Sequence, residues 1–334
     1  MKRVGIGICL ALLVVATANL FPGQAQESGA QQQQPLSNGT PPVNPLRLAL
    51  LRWYGANTTT RFAVGQQPYG VAFDGANIWT ANYNDGTVTK LRANDGEVLG
   101  TFKAGSAPYG VTFDGANVWV SDQGQGAVTK LRASDGKVLG TFTVGPFPGW
   151  MAFDGAHIWV TTSPSQGNGS VSKVQASDGE ILGVFTVGNA PVAVAFDGAN
   201  VWVVNGGVGA TGSVSKLRAS DGKTLGTFVV GNSPIGIAFD GANMWVANRA
   251  GGTVSKLRAS DGKLLGTFDS YTGAYGIAFD GTNVWLAGDP YLTELRASDG
   301  AKLGLWYGPG SIGAAFDGAN VWITRLSDNA VHKF

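Results

Sequence analysis

Pro234-Ile235-Gly236-Ile237-Ala238-Phe239-Asp240-Gly241-Ala242-Asn243-Met244-Trp245 is one copy of a phrase from which most of the chain is built. Its kernel, Phe-Asp-Gly with a Trp six residues after the Phe, occurs seven times. The Phe positions are Phe73, Phe113, Phe153, Phe196, Phe239, Phe279 and Phe316, answered by Trp79, Trp119, Trp159, Trp202, Trp245, Trp285 and Trp322. Successive copies are 40, 40, 43, 43, 40 and 37 residues apart. Repetition on that scale marks a repeat architecture, because each copy is one small unit that buries its apolar face against its neighbours.

Turn residues cut each copy into four short strands. In the fifth, Gly236 to Phe239 is a strand and Asp240 to Asn243 a hairpin turn, with Gly and Asn where positive φ is needed. Met244 to Ala247 is the second strand and Asn248 to Gly252 a loop. Thr253 to Ala259 is the third strand, Ser260-Asp261-Gly262 a turn, and Lys263 to Phe268 the fourth strand. Strand one is apolar or small on both faces, which demands cover on both. Strands three and four carry progressively more polar residues, so burial is expected to fall from the first to the fourth. Radial sheets with strand one nearest an axis have that gradient. The cations of strand three (Lys90/Arg92, Lys130/Arg132, Lys216/Arg218, Lys256/Arg258) are expected to face outward as a solvated surface.

Thr60 to Gly65 matches a fourth strand, whereas Asn320 to Phe334 matches strands two and three. Joined, the two ends complete one sheet and hide two edges. An open stack would instead need polar caps. The expected fold is all-β, a seven-bladed β-propeller over residues 60–334 with 3+1 closure of the last blade. These copies, with their Thr/Ser-Val-Thr/Ser-Lys-Leu-Arg third strand, resemble the YVTN-type (YncE-like) forty-residue propeller repeats of exported bacterial proteins. They are more distantly similar to the virginiamycin B lyase-like propellers. The resemblance implies the fold; such families include enzymes, ligand-binding proteins and scaffolds, so it implies no single activity.

Residues 1–25 read as a signal peptide: Met1-Lys2-Arg3, an apolar core from Val4 to Leu20, and Gly23-Gln24-Ala25 as the cleavage site. The only cysteine, Cys9, lies in that core, so the mature protein has no thiol. Residues 26–43 are a polar, Pro-rich flexible tether. Residues 44–59 form a short helix leading into the ring, opened by Asn44-Pro45. A periplasmic or secreted location follows, with no membrane span after cleavage. Charged residues are 13% of the chain, and 23 Lys+Arg stand against 22 Asp+Glu. That balance gives no footprint for nucleic acid. A monomer is expected.

From each Trp to the following turn Asp the counts are 16, 16, 19, 19, 16 and 14. Length therefore varies in the loop between strands two and three. That loop shares one face, the top, with the blade-to-blade loops, whereas the Asp-Gly turns share the bottom. Function on a rigid scaffold is expected at the variable face. Tyr69, Tyr109, Trp150 and Tyr275 stand at the entrance to strand one, where they either plug the channel or form a binding platform. Asn82, Asp122, Asn205, Asn248 and Arg325 stand three residues after their Trp. The asparagines suit hydrogen bonds to their own loops. Asp122 and Arg325 break that pattern and are candidates for ligand contacts.

The lyase-like propellers imply histidine acid/base chemistry with a carboxylate-held metal, and lactonase-like propellers a metal held by carboxylates and Asn. His157 falls in a bottom turn and His332 on strand three, while Glu97, Glu180 and Glu294 fall outside the top loops. Neither set of residues carries over. No cofactor and no metal are expected; the remaining metal option combines Asp122 and Asn82 with Asp289 or Asp328. The sequence points to an exported, non-catalytic propeller that binds a small molecule, glycan or protein partner through its top face. The alternatives are a metal-dependent lyase or hydrolase of these propeller types and a purely structural surface protein.

Overall fold

The computed structural model describes residues 60–165, 167–206, 211–271 and 273–334. The signal peptide, tether and helix expected within residues 1–59 lie outside the described residues. All regular structure among the described residues is β-strand, arranged as seven four-stranded antiparallel sheets. Strand β1 (Arg61–Ala63) precedes blade one, which consists of β2 (Pro68–Phe73), β3 (Asn77–Asn82), β4 (Thr87–Arg92) and β5 (Val98–Lys103). Blades two to six follow as β6–β9 (108–143), β10–β13 (148–189), β14–β17 (191–232), β18–β21 (234–269) and β22–β25 (273–307). Blade seven contains β26 (Ser311–Phe316), β27 (Val321–Arg325) and β28 (Ala330–Lys333), and β1 is its fourth strand. Arg61 pairs with His332, Phe62 with Val331 and Ala63 with Ala330. The fold is a seven-bladed β-propeller closed 3+1.

The spacing inside the repeated phrase has a physical cause. The aspartate of each Phe-Asp-Gly accepts a hydrogen bond from the indole Nε1 of its own blade's Trp, at 2.7–2.8 Å. It also caps the amides two and three residues ahead, as Asp240 does for Ala242 and Asn243. The bond satisfies the one polar atom of a ring that is otherwise inaccessible, as for Trp79 and Trp202. Trp79 then lies 5.7 Å from Phe102 of its own outer strand, a pairing that recurs around the ring.

The strand-three lysines are not a solvated face. Lys90, Lys130, Lys173, Lys216 and Lys256 are only 6–8% exposed. The register sets Lys90 opposite Trp79, so its stem lies along the indole and Nζ sits 5.2 Å from the ring centre. Nζ then reaches the next blade's bottom turn and donates to the carbonyl of Ala133, at 2.7 Å. Lys216 and Lys256 do the same to Ala259 and Ala297, and Lys333 reaches Asn94 across the closure. Blade six has Glu294 at this position, opposite Trp285. The neighbouring blade seven takes its third and fourth strands from distant segments, so among the described residues no turn joins them to receive a lysine. The arginines behave as expected, for Arg92 meets Asp95 at the surface, 2.9 Å away.

The burial gradient also differs from expectation. Strand two is the most buried, all of β3 beyond Asn77 being inaccessible, whereas β2 is buried only in part. Strand two has a neighbouring blade against each face, while strand one turns part of its surface to the axial channel. Glycine at Gly276 lets adjacent inner strands approach there, since a Cβ would lie 2.2 Å from the Ile312 carbonyl. The extra residues of blades three and four lengthen their outer hairpins toward the top. There β12 (Asn168–Gln175) and β13 (Ile181–Asn189) run to 8 and 9 residues, against 6 in β4 and in β5.

Candidate functional site

The entrance to strand one carries a bulge. Pro68 pairs with Asn82 at the top of blade one, but the register shifts before Val71, leaving Tyr69 and Gly70 in the irregular segment. Blade two repeats this around Tyr109 and Gly110, and blade three around Gly149 and Trp150. Bulges re-aim side chains next to functional sites. Here they gather the rings of three consecutive blades. Tyr69 lies 4.9 Å from Tyr109, and Tyr109 lies 5.6 Å from Trp150 in an edge-on contact.

Tyr83 joins this cluster, 5.2 Å from Tyr69 and 6.5 Å from Tyr109. It is the first residue of the loop between strands two and three, held by its amide on the Gln67 carbonyl at 3.0 Å. It stands one residue beyond Asn82, the position that the sequence singles out. The signal was present, because the residue after the bracing position differs from blade to blade: Tyr83, Gln123, Ser163, Arg249. Tyr275 comes from blade six, near enough to influence the ionisation of Tyr69 and Tyr109. Beneath the rings the channel holds a cavity of ≈ 160 Å³, lined by apolar residues including Val71, Val111, Met151 and Ile277.

Burial pushes the Tyr109 phenol up to about 12, with a smaller contribution from Tyr69. Burial raises Tyr69 too, helped by Tyr83 and Tyr275. Both residues are half-buried, Tyr109 with its phenol group the deeper of the two. Both phenols therefore stay protonated at neutral pH. Trp150 lines the cavity, and its Nε1 is buried with no acceptor in good hydrogen-bond geometry. It does lie close enough to the Tyr109 hydroxyl to oppose part of that residue's shift.

The polar residues beside these rings serve another purpose. Asn82, Asn205 and Asn248 are 0–3% exposed. Asn82 Nδ2 donates to Thr87 and Thr89, and Asn248 joins Thr253 and Ser255 to the Gly231 amide. Asp122 was a candidate for ligand contact, but its carboxylate is inaccessible. It accepts from the amides of Ser106, Ala107 and Gly124, which leaves it braced to its own loops. Arg325, the other such candidate, lays its guanidinium 5.8 Å from the Phe334 ring rather than at the mouth. Its burial lowers its pKa.

The possible metal ligands are dispersed. Asp328 pairs with Arg61 and His332, each at 2.9 Å, on the closing blade. His157 sits in a bottom turn with Nδ1 3.1 Å from Asp154. No group of three or more His, Cys, Asp or Glu able to hold a metal occurs among the described residues. The residues present do not fit the histidine and carboxylate metal chemistry of the lyase-like or lactonase-like propellers.

Two further features single out the top face. Among the described residues, the non-glycine residues with positive φ (Gln67, Phe147, Ala190, Ser233, Tyr271 and Asn329) all lie in top loops. Such strained conformations concentrate where a scaffold shapes a binding surface. A second pocket of ≈ 350 Å³ opens between blades five and six, lined by Ser233, Arg249, Ala250, Gly273, Tyr275 and Asp289. The Arg249 guanidinium lies 4.4 Å from the centre of the Tyr275 ring.

No protein-family profile and no curated protein matches the sequence. Many solved structures are similar in fold, among them these two. Hydrazine synthase of Kuenenia stuttgartiensis superposes with a TM-score of 0.68 at 16% identity, over 82% of this chain and 96% of that one. A streptogramin B lyase gives 0.67 at 16% identity, over 82% and 95%. At that identity the likeness shows the fold alone.

Proposed function

We propose that this protein is a non-catalytic binding propeller that holds a small, flat-faced, ring-bearing molecule against the aromatic mouth of its channel. The observation that carries this is the unbroken run of Tyr83, Tyr69, Tyr109 and Trp150 rings above the channel cavity. Aromatic surface with a few polar groups is the usual composition of a small-molecule site. The Tyr109 hydroxyl lies near the Trp150 N–H without forming a well-aligned bond, which leaves that donor open to a better-placed acceptor. A ligand oxygen would satisfy it. Protonated phenols and an indole donate hydrogen bonds but supply no base at neutral pH, which favours binding over turnover. A YVTN-type relationship, export directed by residues 1–25, and a monomeric state belong to the same proposal.

The test is the pair Tyr109→Ala with Trp150→Ala, measured by calorimetry against a library of small aromatic and carbohydrate probes. The double variant should lose binding of every probe that the parent holds, while His157→Asn, which restores the repeat's own residue in a bottom turn, should lose none. If the bottom-turn change weakens binding and the double variant does not, the site lies on the other face.

A further inference from the structure

Most arginines of this ring are paired locally. Arginines of strand three pair with the aspartates of their own bottom turns, as Arg218 does with Asp221 and Arg296 with Asp299. Arg249 is different. It is exposed, forms no salt bridge among the described residues, and is held by its stack on Tyr275. Stacking fixes the plane of a guanidinium and leaves its N–H edge free for a carboxylate. Gly273 borders the arginine, where an added Cβ would come into contact with the Arg249 Cγ at 3.4 Å. Asp289 lines the same pocket, also exposed. Its Oδ1 accepts the Gly310 amide at 3.2 Å, and Oδ2 makes no hydrogen bond among the described residues. Arg249 and Asp289 do not pair with each other among the described contacts, although they line one pocket.

Tyr275 connects this pocket to the mouth, because it lines both the channel cavity and the pocket between blades five and six. The channel mouth and the charged pocket are therefore contiguous through Tyr275. A plain anion would gain Arg249 but approach Asp289, and a plain cation would meet the reverse. A group carrying both charges satisfies both. We propose that the pocket between blades five and six binds the zwitterionic end of a ring-bearing ligand, its carboxylate on Arg249 and its ammonium on Asp289, so that the ligand class is the aromatic α-amino acids. This rests on the aromatic mouth as the ring site.

The test titrates the full chain calorimetrically with four probes that share a phenyl ring: L-phenylalanine, 3-phenylpropionate, 2-phenylethylamine and uncharged 2-phenylethanol. L-Phenylalanine should bind at least about tenfold more tightly than either singly charged probe, the gain expected of one charge-assisted contact at a partly exposed site. Arg249→Gln should abolish its advantage over 2-phenylethylamine, and Asp289→Asn its advantage over 3-phenylpropionate. Thermal unfolding of both variants confirms that the ring is intact. If 2-phenylethanol binds as tightly as L-phenylalanine, the charged pocket reads nothing and this inference falls while the aromatic site stands. If L-phenylalanine binds unchanged to the Tyr109→Ala, Trp150→Ala variant, the mouth is not the ring site and both proposals are overturned. Binding of none of the four at millimolar concentration also overturns this inference.

Discussion

Replacing Lys216 with Met asks whether the buried lysines hold neighbouring blades together. Nζ of Lys216 donates to the carbonyls of Ala259 at 2.6 Å and Ser260 at 3.2 Å, and lies 4.9 Å from the Trp202 ring. A hydrogen bond to a charged group contributes ~1.5–3 kcal/mol, the longer of these two counting for less. A desolvated cation–π contact adds about 1–2 kcal/mol. Against this, withdrawing an ammonium from water is costly, and Met removes that penalty while keeping most of the stem's volume. The balance is a loss of about 2 kcal/mol, mostly because two turn carbonyls lose their donor. In a domain of this size that lowers Tm by about 4–8 °C. Guanidinium unfolding followed by both tryptophan fluorescence and far-UV circular dichroism gives the difference, and coincidence of the probes checks the two-state assumption. Lys103→Met is the control. Its exposed Nζ reaches only the Asp85 carbonyl, at 3.4 Å, so its cost should stay within about 0.5 kcal/mol. Equal costs for the two substitutions would refute the interblade role.

Two other outcomes are expected. Deleting Val331 to Phe334 strips the pairing of β28 with β1, each lost hydrogen bond being worth ~0.5–1.5 kcal/mol, and bares an edge; an unchanged unfolding midpoint would show that closure contributes nothing. Stability should also fall in acid. Burial alone would raise the carboxyls of Asp114, Asp154, Asp197, Asp240 and Asp317, but bonds from the Trp indole and turn amides hold them below 3.8. The folded state then binds fewer protons than the unfolded, so their stabilisation is present above pH ~3.8 and lost as pH drops through the depressed values. His332, lowered from 6.5 by burial despite Asp328, has the same sign and starts near pH 6.5. Arg325 and Arg61 face it and deepen the effect. His332→Ser should remove the higher-pH component of the decline, and a profile identical to the parent's would contradict this assignment.

The ring was legible in the sequence because its determinants are local and repeated. Asp240 and Trp245 stand five apart in a hairpin, so their bond is written in the spacing, and seven copies at regular intervals dictate radial sheets. The complementary ends, Thr60 to Gly65 and Asn320 to Phe334, fixed how the circle closes. Sidedness between blades was not legible. Lys216 looks like any lysine of an alternating strand, and only the packed neighbour supplies the carbonyls of Ala259 and Ser260 that draw it inward. The same holds for Asp122, whose burial depends on amides from the preceding blade-to-blade loop. At the mouth, Tyr69, Tyr109, Trp150 and Tyr275 could be named from their place in the repeat. Tyr83 and Arg249 were marked only by their variability after the bracing position, because a loop residue's partner is set by where the chain turns. Contact between Arg249 and Tyr275 comes from the packing of two adjacent blades, which no spacing within one repeat encodes.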